Sequence, residues 1–248
     1  MSIQRKWLGM VYYDRKLFAM GGLNEKVLDS VEMFDIQTNK WKSIAPMRTI
    51  RHSFDAAVID NTIYVCGGQN EVSFKSCEYY TQNTDIWYFA TPMTTERSGL
   101  ALVVHDGYLY AIGGQNKNND NLNSMERYDT KTQQWTSMDN MKSKRWYASG
   151  ASFMGKIYVC GGYDSNYLNS CESFDPITNQ WTPIASMLHV RREFKLLVFY
   201  DNLYAIGGYN ETRLDTVEIY DYKSNQWYYT TPLPHPLCAF GATVITSN

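Results

Sequence analysis

A Gly-Gly doublet occurs five times, and its spacing constrains the fold more than any other feature of the chain. The pairs are Gly21-Gly22, Gly67-Gly68, Gly113-Gly114, Gly161-Gly162 and Gly207-Gly208, at steps of 46, 46, 48 and 46 residues. Each closes a short apolar run, as in "LFAMGG", "IYVCGG" and "LYAIGG". Four more landmarks recur in phase. A tryptophan follows each doublet: Trp41, Trp87, Trp135, Trp181 and Trp227. Between doublet and tryptophan lies a glutamate with an aromatic two places on: Glu32/Phe34, Glu78/Tyr80, Glu126/Tyr128, Glu172/Phe174 and Glu218/Tyr220. An arginine stands 16 residues before the first glycine: Arg5, Arg51, Arg97, Arg145 and Arg191. A methionine stands four residues before each arginine: Met1, Met47, Met93, Met141 and Met187. Landmarks kept in phase over five copies are the signature of a repeat architecture.

Within one copy the pattern reads as four short strands. In the second copy these are "SFDAAVI", "TIYVCG", "SCEYYT" and "DIWYFA". Asp60-Asn61, Asp106-Gly107 and Asp201-Asn202 suit tight hairpins between the first two strands. "DPITNQ" and "DTKTQQ" supply longer turns between the third and fourth. No copy shows helical periodicity. The two extra residues of the third copy fall in the polar stretch "GGQNKNNDNLNS". Four antiparallel strands at this period make one propeller blade, so the expected fold is all-β.

Composition narrows the function classes. The formal charge of −2 gives no drive toward nucleic acid or an anionic membrane surface. No apolar run approaches the roughly 20 residues of a membrane helix, and the N-terminus lacks a signal-peptide apolar core. The 5 cysteines include no C-x-x-C. Cys66 and Cys77 occupy the same repeat positions as Cys160 and Cys171. An odd count with no secretion signal favours reduced thiols and a cytoplasmic setting. His52, His105, His189 and His235 lack metal-ligand spacing. No nucleophile elbow, phosphate loop or zinc-protease motif is present. The doublets precede strands rather than helices, which argues against phosphate cradles. No catalytic residue, metal or cofactor is therefore expected.

The doublet, the Glu-x-aromatic-Asp and the Trp six residues before Met together resemble the kelch repeat, over essentially the whole chain. Repeats run at about 5–48, 49–94, 95–142, 143–188 and 189–234, with 235–248 as a partial closing strand. WD repeats would show Gly-His and Trp-Asp dipeptides, which are absent. Met1 falls on a repeat position, and "CAFGATVI" near the other end aligns with a first strand. The expectation is a kelch β-propeller of five four-stranded blades plus one extra C-terminal strand, read as part of a six-bladed ring. A five-bladed ring with a spare strand is the alternative. The repeated glycines, Trp41, Trp87, Trp135, Trp181, Trp227, Arg51, Arg97, Arg145 and Arg191 are expected to be structural. Five equivalent copies of a residue suit a scaffold better than a catalytic site.

Strand direction then places a binding face. The loop joining strands two and three opens on the same side as the loop joining one blade to the next. Residues just after each doublet, and just after each periodic arginine, should share that side. The resemblance implies that kelch adaptors hold ligands there. Carried over position by position, the candidates are Lys6, His52, Ser53, Gln69, Asn70, Ser98, Gln115, Asn116, Trp146, Tyr147, Tyr163, Arg192, Tyr209 and Asn210. The framework is regular while these positions vary, as on a scaffold presenting a specific surface. Trp146, Tyr147, Tyr163, Tyr209 and Arg192 form the group with interaction hot-spot composition.

"LNSCESFDPITNQWTPIASM" and "LNSMERYDTKTQQWTSM" are similar to the consensus of BTB–kelch substrate adaptors of cullin-RING ubiquitin ligases. That resemblance implies a non-catalytic module gripping a protein or peptide, with an upstream BTB domain and a cullin ligase as further partners. The departures are Thr81 for Asp, Asn140 and Ser186 for Pro, and Leu237 for Arg. An actin-binding, cytoskeleton-associated kelch protein is the alternative. A propeller enzyme ranks third.

Overall fold

A computed structural model describes residues 1–245 as five four-stranded antiparallel sheets in chain order. The first has strands Gly9–Tyr13, Lys16–Met20, Val31–Asp35 and Lys40–Ile44. The second has His52–Ile59, Thr62–Asn70, Cys77–Thr81 and Ile86–Ala90, with the short Val72–Ser73 beside it. The third has Ala101–His105, Tyr108–Ile112, Met125–Asp129 and Gln134–Met138. The fourth has Ser149–Phe153, Lys156–Cys160, Cys171–Asp175 and Gln180–Ile184. The fifth has Lys195–Phe199, Asn202–Ile206, Val217–Asp221 and Gln226–Tyr229. The first strands of successive sheets lie against one another, so they line the axis and the sheets radiate as blades.

The tight hairpins follow from left-handed residue pairs, which match the twist of antiparallel strands. Asp60 and Asn61 have φ of 48° and 58°, and Asp106 and Gly107 have 46° and 77°. In the fifth blade the pair is Tyr200-Asp201, one residue earlier than expected, because Asn202 pairs with Phe199.

The buried arginines tie blade to blade. Arg97 Nη1 donates to the Gly113 and Ser124 carbonyls at 2.8 and 2.9 Å, and Nη2 donates to Ser124 Oγ and Glu126 Oε1 at 2.9 and 3.0 Å. Arg51, Arg145 and Arg191 repeat this set within their own blades. Their main chains face the other way. The carbonyls of Arg51, Arg97, Arg145 and Arg191 accept from Gly22, Gly68, Gly114 and Gly162 of the preceding blade. The seam leaves no room for a side chain. A Cβ on Gly113, whose φ is +61°, would sit 2.7 Å from the Arg145 carbonyl oxygen. The glutamates close the unit, since the second oxygen of Glu126 accepts Thr94 N–H at 2.7 Å. All four arginines are fully buried, so pairing and hydrogen bonding are what make their burial tolerable.

The tryptophans also span seams. Trp87, Trp135, Trp181 and Trp227 donate Nε1–H to Ala45, Thr91, Asp139 and Ala185 carbonyls of the preceding blade, at 2.8–3.0 Å. Coverage by that neighbour decides burial. Ile63, Tyr80 and Trp87 of the second blade are 1%, 3% and 2% exposed, whereas their counterparts Leu17, Phe34 and Trp41 of the first are only half-buried. On the far side, Phe199 of the fifth blade is 43% exposed.

The expected extra strand is not formed. Residues 241–245 carry no strand, and the tail makes a single bridge, Leu214 with Leu237. Residues 246–248 of that expected strand lie outside the described residues. The structure has five blades, and the six-bladed reading is corrected accordingly. A strand needs a ladder, and among the described residues Gly241 meets the side chains of Leu8 and Met10 rather than a strand edge. The tail instead closes the axis. Leu237 accepts Gly208 N–H at 2.7 Å, taking the main-chain role of the periodic arginine without its side-chain role.

The cysteines also depart from expectation. Cys66 and Cys77 face each other on neighbouring strands, with Cα atoms 4.2 Å apart, and are joined as a disulfide. Cys160 and Cys171 hold the equivalent register as free thiols.

Arg97→Met should lower unfolding free energy by about 3–5 kcal/mol in urea titration, because Glu126 stays buried without its partner. Alkylation in denaturant without reductant should label three cysteines, Cys160, Cys171 and Cys238, and after reduction should also label Cys66 and Cys77.

Candidate partner-binding face

In every blade the residue after the periodic arginine pairs with the residue after the doublet. The antiparallel pairs are Lys6–Leu23, His52–Gln69, Ser98–Gln115, Trp146–Tyr163 and Arg192–Tyr209. The two loop families therefore meet on one face, and the arginine and glycine seams beneath fix their spacing.

One step inward the backbone forms a closed ring. Ser53 N–H donates to Trp7, Gly99 to Ser53, Tyr147 to Gly99, Glu193 to Tyr147, Ala239 to Glu193 and Trp7 to Ala239, all at 2.7–3.1 Å. These six residues have φ between 53° and 60°. Five come from the blades and the sixth from the tail. Left-handed backbone turns each N–H and carbonyl along the circumference, so each residue can serve both neighbours.

Side chains close the mouth inside this ring. Tyr147 reaches across to Ser53 with 2.5 Å between oxygens, and His52 Nδ1 lies 2.9 Å from Ser53 Oγ. Burial, aided by Lys6, pushes the His52 imidazolium down, and burial pushes the Tyr147 phenol up. Both groups are thus neutral near pH 7. Ser53 Oγ thus bridges the Tyr147 hydroxyl and the His52 ring nitrogen. Trp7 stacks on Tyr147 at 6.4 Å between ring centres, and Lys6 Nζ sits 4.3 Å over the Trp7 ring. Gly99 makes this possible, since a Cβ there would come within 2.7 Å of the Trp146 indole. Behind the closed mouth lies a cavity of ≈ 60 Å³ lined in part by Asp55, Ser149, Glu193 and Lys195.

The outer part of the face is aromatic at the fourth and fifth blades. Arg192 Cζ lies 5.7 Å from the Trp146 ring centre and 5.4 Å from each of the Tyr163, Tyr167 and Tyr209 centres. Tyr163 and Tyr167 stand on a two-stranded ribbon, Tyr163–Asp164 with Asn166–Tyr167, turned by Ser165 at φ 61°.

The expected residues thus divide. Trp146, Tyr147, Tyr163, Arg192 and Tyr209 converge. Lys6 and His52 join them through Trp7 and Tyr147. Ser53 and Ser98 are buried at 4% and 0% exposure and present no surface, because Ser53 is held by His52 and Tyr147 and Ser98 Oγ accepts from Ser73. Gln115 and Asn116 are engaged within their own loop, by Asn121 and by the Asn118 and Asp120 amides. Gln69 and Asn70 are tied to Val72–Ser73, and Asn210 lies half-buried beside Tyr209. Tyr167 was not among the expected contacts. It was legible only as a second tyrosine in "YDSNY", and the positions equivalent to it in the other blades hold Val27, Ser73, Asn121 and Arg213. Among the described residues no group of three His, Cys, Asp or Glu converges as a metal site.

Residues 53–248 match the KLHDC2/KLHL20/DRC7 Kelch-repeats domain, and residues 8–48 match the Kelch motif. The chain belongs to the kelch-repeat family. A kelch propeller is in general an interaction scaffold that binds protein partners. Among curated proteins, this kelch chain is 43% identical over 60 residues to the influenza virus NS1A-binding protein homologs of Xenopus laevis and Mus musculus. It is 44% identical over 45 residues to an F-box/kelch-repeat protein of Arabidopsis thaliana. These matches cover 24% and 18% of this chain, but only 9% and 11% of those proteins. The solved structure of YjhT superimposes with a TM-score of 0.87 at 15% identity, covering 98% of this chain and 88% of that one. That likeness concerns the fold alone.

Gly99→Ala should cost more than about 1 kcal/mol in chemical denaturation, because it combines a positive φ with contact against Trp146.

Proposed function

We propose that this kelch propeller binds a peptide segment of a partner protein across the face built by Trp146, Tyr163, Tyr167, Arg192 and Tyr209. We further propose that it does so as the target-recognition module of a ubiquitin-ligase adaptor. The observation that carries the first part is the convergence of four aromatic rings and an arginine from two adjacent blades on one open face. Aromatic and arginine side chains concentrate binding energy because they offer large contact area with a polar edge. The closed mouth supports a ligand lying across the face rather than one entering the axis. The adaptor part is supported by the BTB–kelch style of the repeats, and by a relative whose name joins an F-box to kelch repeats. In that role the propeller grips the target and other domains join it to the ligase.

Trp146→Ala combined with Tyr209→Ala should abolish capture of a partner from cell lysate, read by mass spectrometry, while the melting temperature stays nearly unchanged. Unaltered capture would sink the face assignment. For the adaptor role, depletion of the protein in cells should raise the captured partner's level, and proteasome inhibition should add no further rise. A partner whose level is indifferent to depletion would leave a binding module without a ligase role.

A further inference from the structure

Arg191 and Arg192 are neighbours in the chain with opposite uses. The Arg191 side chain is fully buried, and its terminal nitrogens make four hydrogen bonds within the fifth blade. Among the described residues, the Arg192 guanidinium makes no hydrogen bond. Its one charged neighbour is Glu193, with Nε to Oε1 at 3.5 Å. Arg192 Nε is buried without a partner, while the side chain keeps 22% of its exposure, so the two terminal nitrogens are the atoms that reach solvent. The Trp146 Nε1 beside it is likewise buried without a partner. The hydroxyls of Tyr163, Tyr167 and Tyr209 hydrogen-bond to no described residue. The Trp146 indole N–H, the three tyrosine hydroxyls and the guanidinium can all donate, and the planar guanidinium is held in place by aromatic faces on several sides.

We infer that Arg192 anchors an aspartate or glutamate side chain of an extended peptide whose flanking apolar residues pack on Trp146, Tyr163, Tyr167 and Tyr209. The inference rests on reading this face as peptide-binding. An aromatic cage ordinarily suits a cation, but here the cage already holds one, which repels a second and attracts an acceptor. A carboxylate fits better than a phosphate. Arg192 is the guanidinium set among the four rings, and Glu193 beside it offsets part of its charge. A side chain fits better than a chain end, because the mouth spanned by Tyr147 and Ser53 leaves no hole to receive a terminus.

The test pans a library of random dodecapeptides on phage against the purified chain and against Arg192→Gln. Wild type should enrich peptides carrying Asp or Glu at one aligned position among apolar residues. Arg192→Gln should still enrich apolar peptides but lose the acidic position. For the best peptide, made synthetically, exchange of the acid for its amide should weaken binding by about tenfold or more on wild type and by less than about twofold on Arg192→Gln. Arg192→Lys, which keeps the charge and loses the planar fork, should retain the acidic preference at lower affinity. Equal penalties for the amide on wild type and Arg192→Gln would overturn the inference while leaving the peptide-binding face intact. Loss of binding on C-terminal amidation, with no effect of the side-chain exchange, would overturn it in favour of a chain-end ligand. Enrichment of no peptide by either protein would overturn both the inference and the reading of the face beneath it.

Discussion

The propeller depends on one residue type used in two directions. Arg51, Arg97, Arg145 and Arg191 each give the carbonyl to the glycine doublet of the blade before and the guanidinium to the doublet, strand edge and glutamate of their own blade. A single side chain therefore sets both the seam between blades and the shape of the loop within one. Removing an ion from water is expensive, and these arginines are fully enclosed. They persist because nearly every donor has an acceptor at hydrogen-bond distance. The same requirement explains the doublets, since the arginine carbonyl that accepts the second glycine's N–H stands where a Cβ on the first would go.

This arrangement separates scaffold from surface with little overlap. The arginine is buried and constant, and the residue after it is on the face and variable. Lys6, His52, Ser98, Trp146 and Arg192 share one structural position and span cationic, polar and aromatic side chains. The ring of six left-handed residues one step further in holds these positions at fixed spacing. A regular frame with a free outer position can change its ligand without disturbing its core, which is why function has to be read from the face rather than from the fold. The side chains of Trp7, Tyr147 and Ser53 then close the axis, so the usable surface is the outer aromatic patch.

Most of the frame was legible in the sequence because each landmark serves one local purpose that repeats. The doublets, arginines, glutamates and tryptophans recur in phase, and four strands per copy follow from the runs between them. What was not legible depends on neighbours. Ser53 and Ser98 have loop-like sequence contexts, yet partners from other parts of the face bury them. The position of Tyr167 holds Val27, Ser73, Asn121 and Arg213 in the other blades, so no repeated tyrosine marks it, and only the ribbon geometry brings it to Arg192. Strand-like composition in the tail did not produce a strand among the described residues, because Gly241 meets the side chains of Leu8 and Met10 rather than a strand edge. Facing cysteines two blades apart share spacing but not state, and spacing alone could not separate them.

The sequence by itself determined the repeat, the four strands of each copy and the positions at which the surface is allowed to vary, and it left the number of blades in the ring open. Those are properties of period and residue type, and a period survives in one dimension. Tertiary structure alone decided which variable positions meet, which are covered, and that one arginine is left with its donors unused among aromatic rings. Those outcomes rest on contacts between blades some 46 residues apart in the chain, where distance in space is set by closing the ring and not by any local pattern.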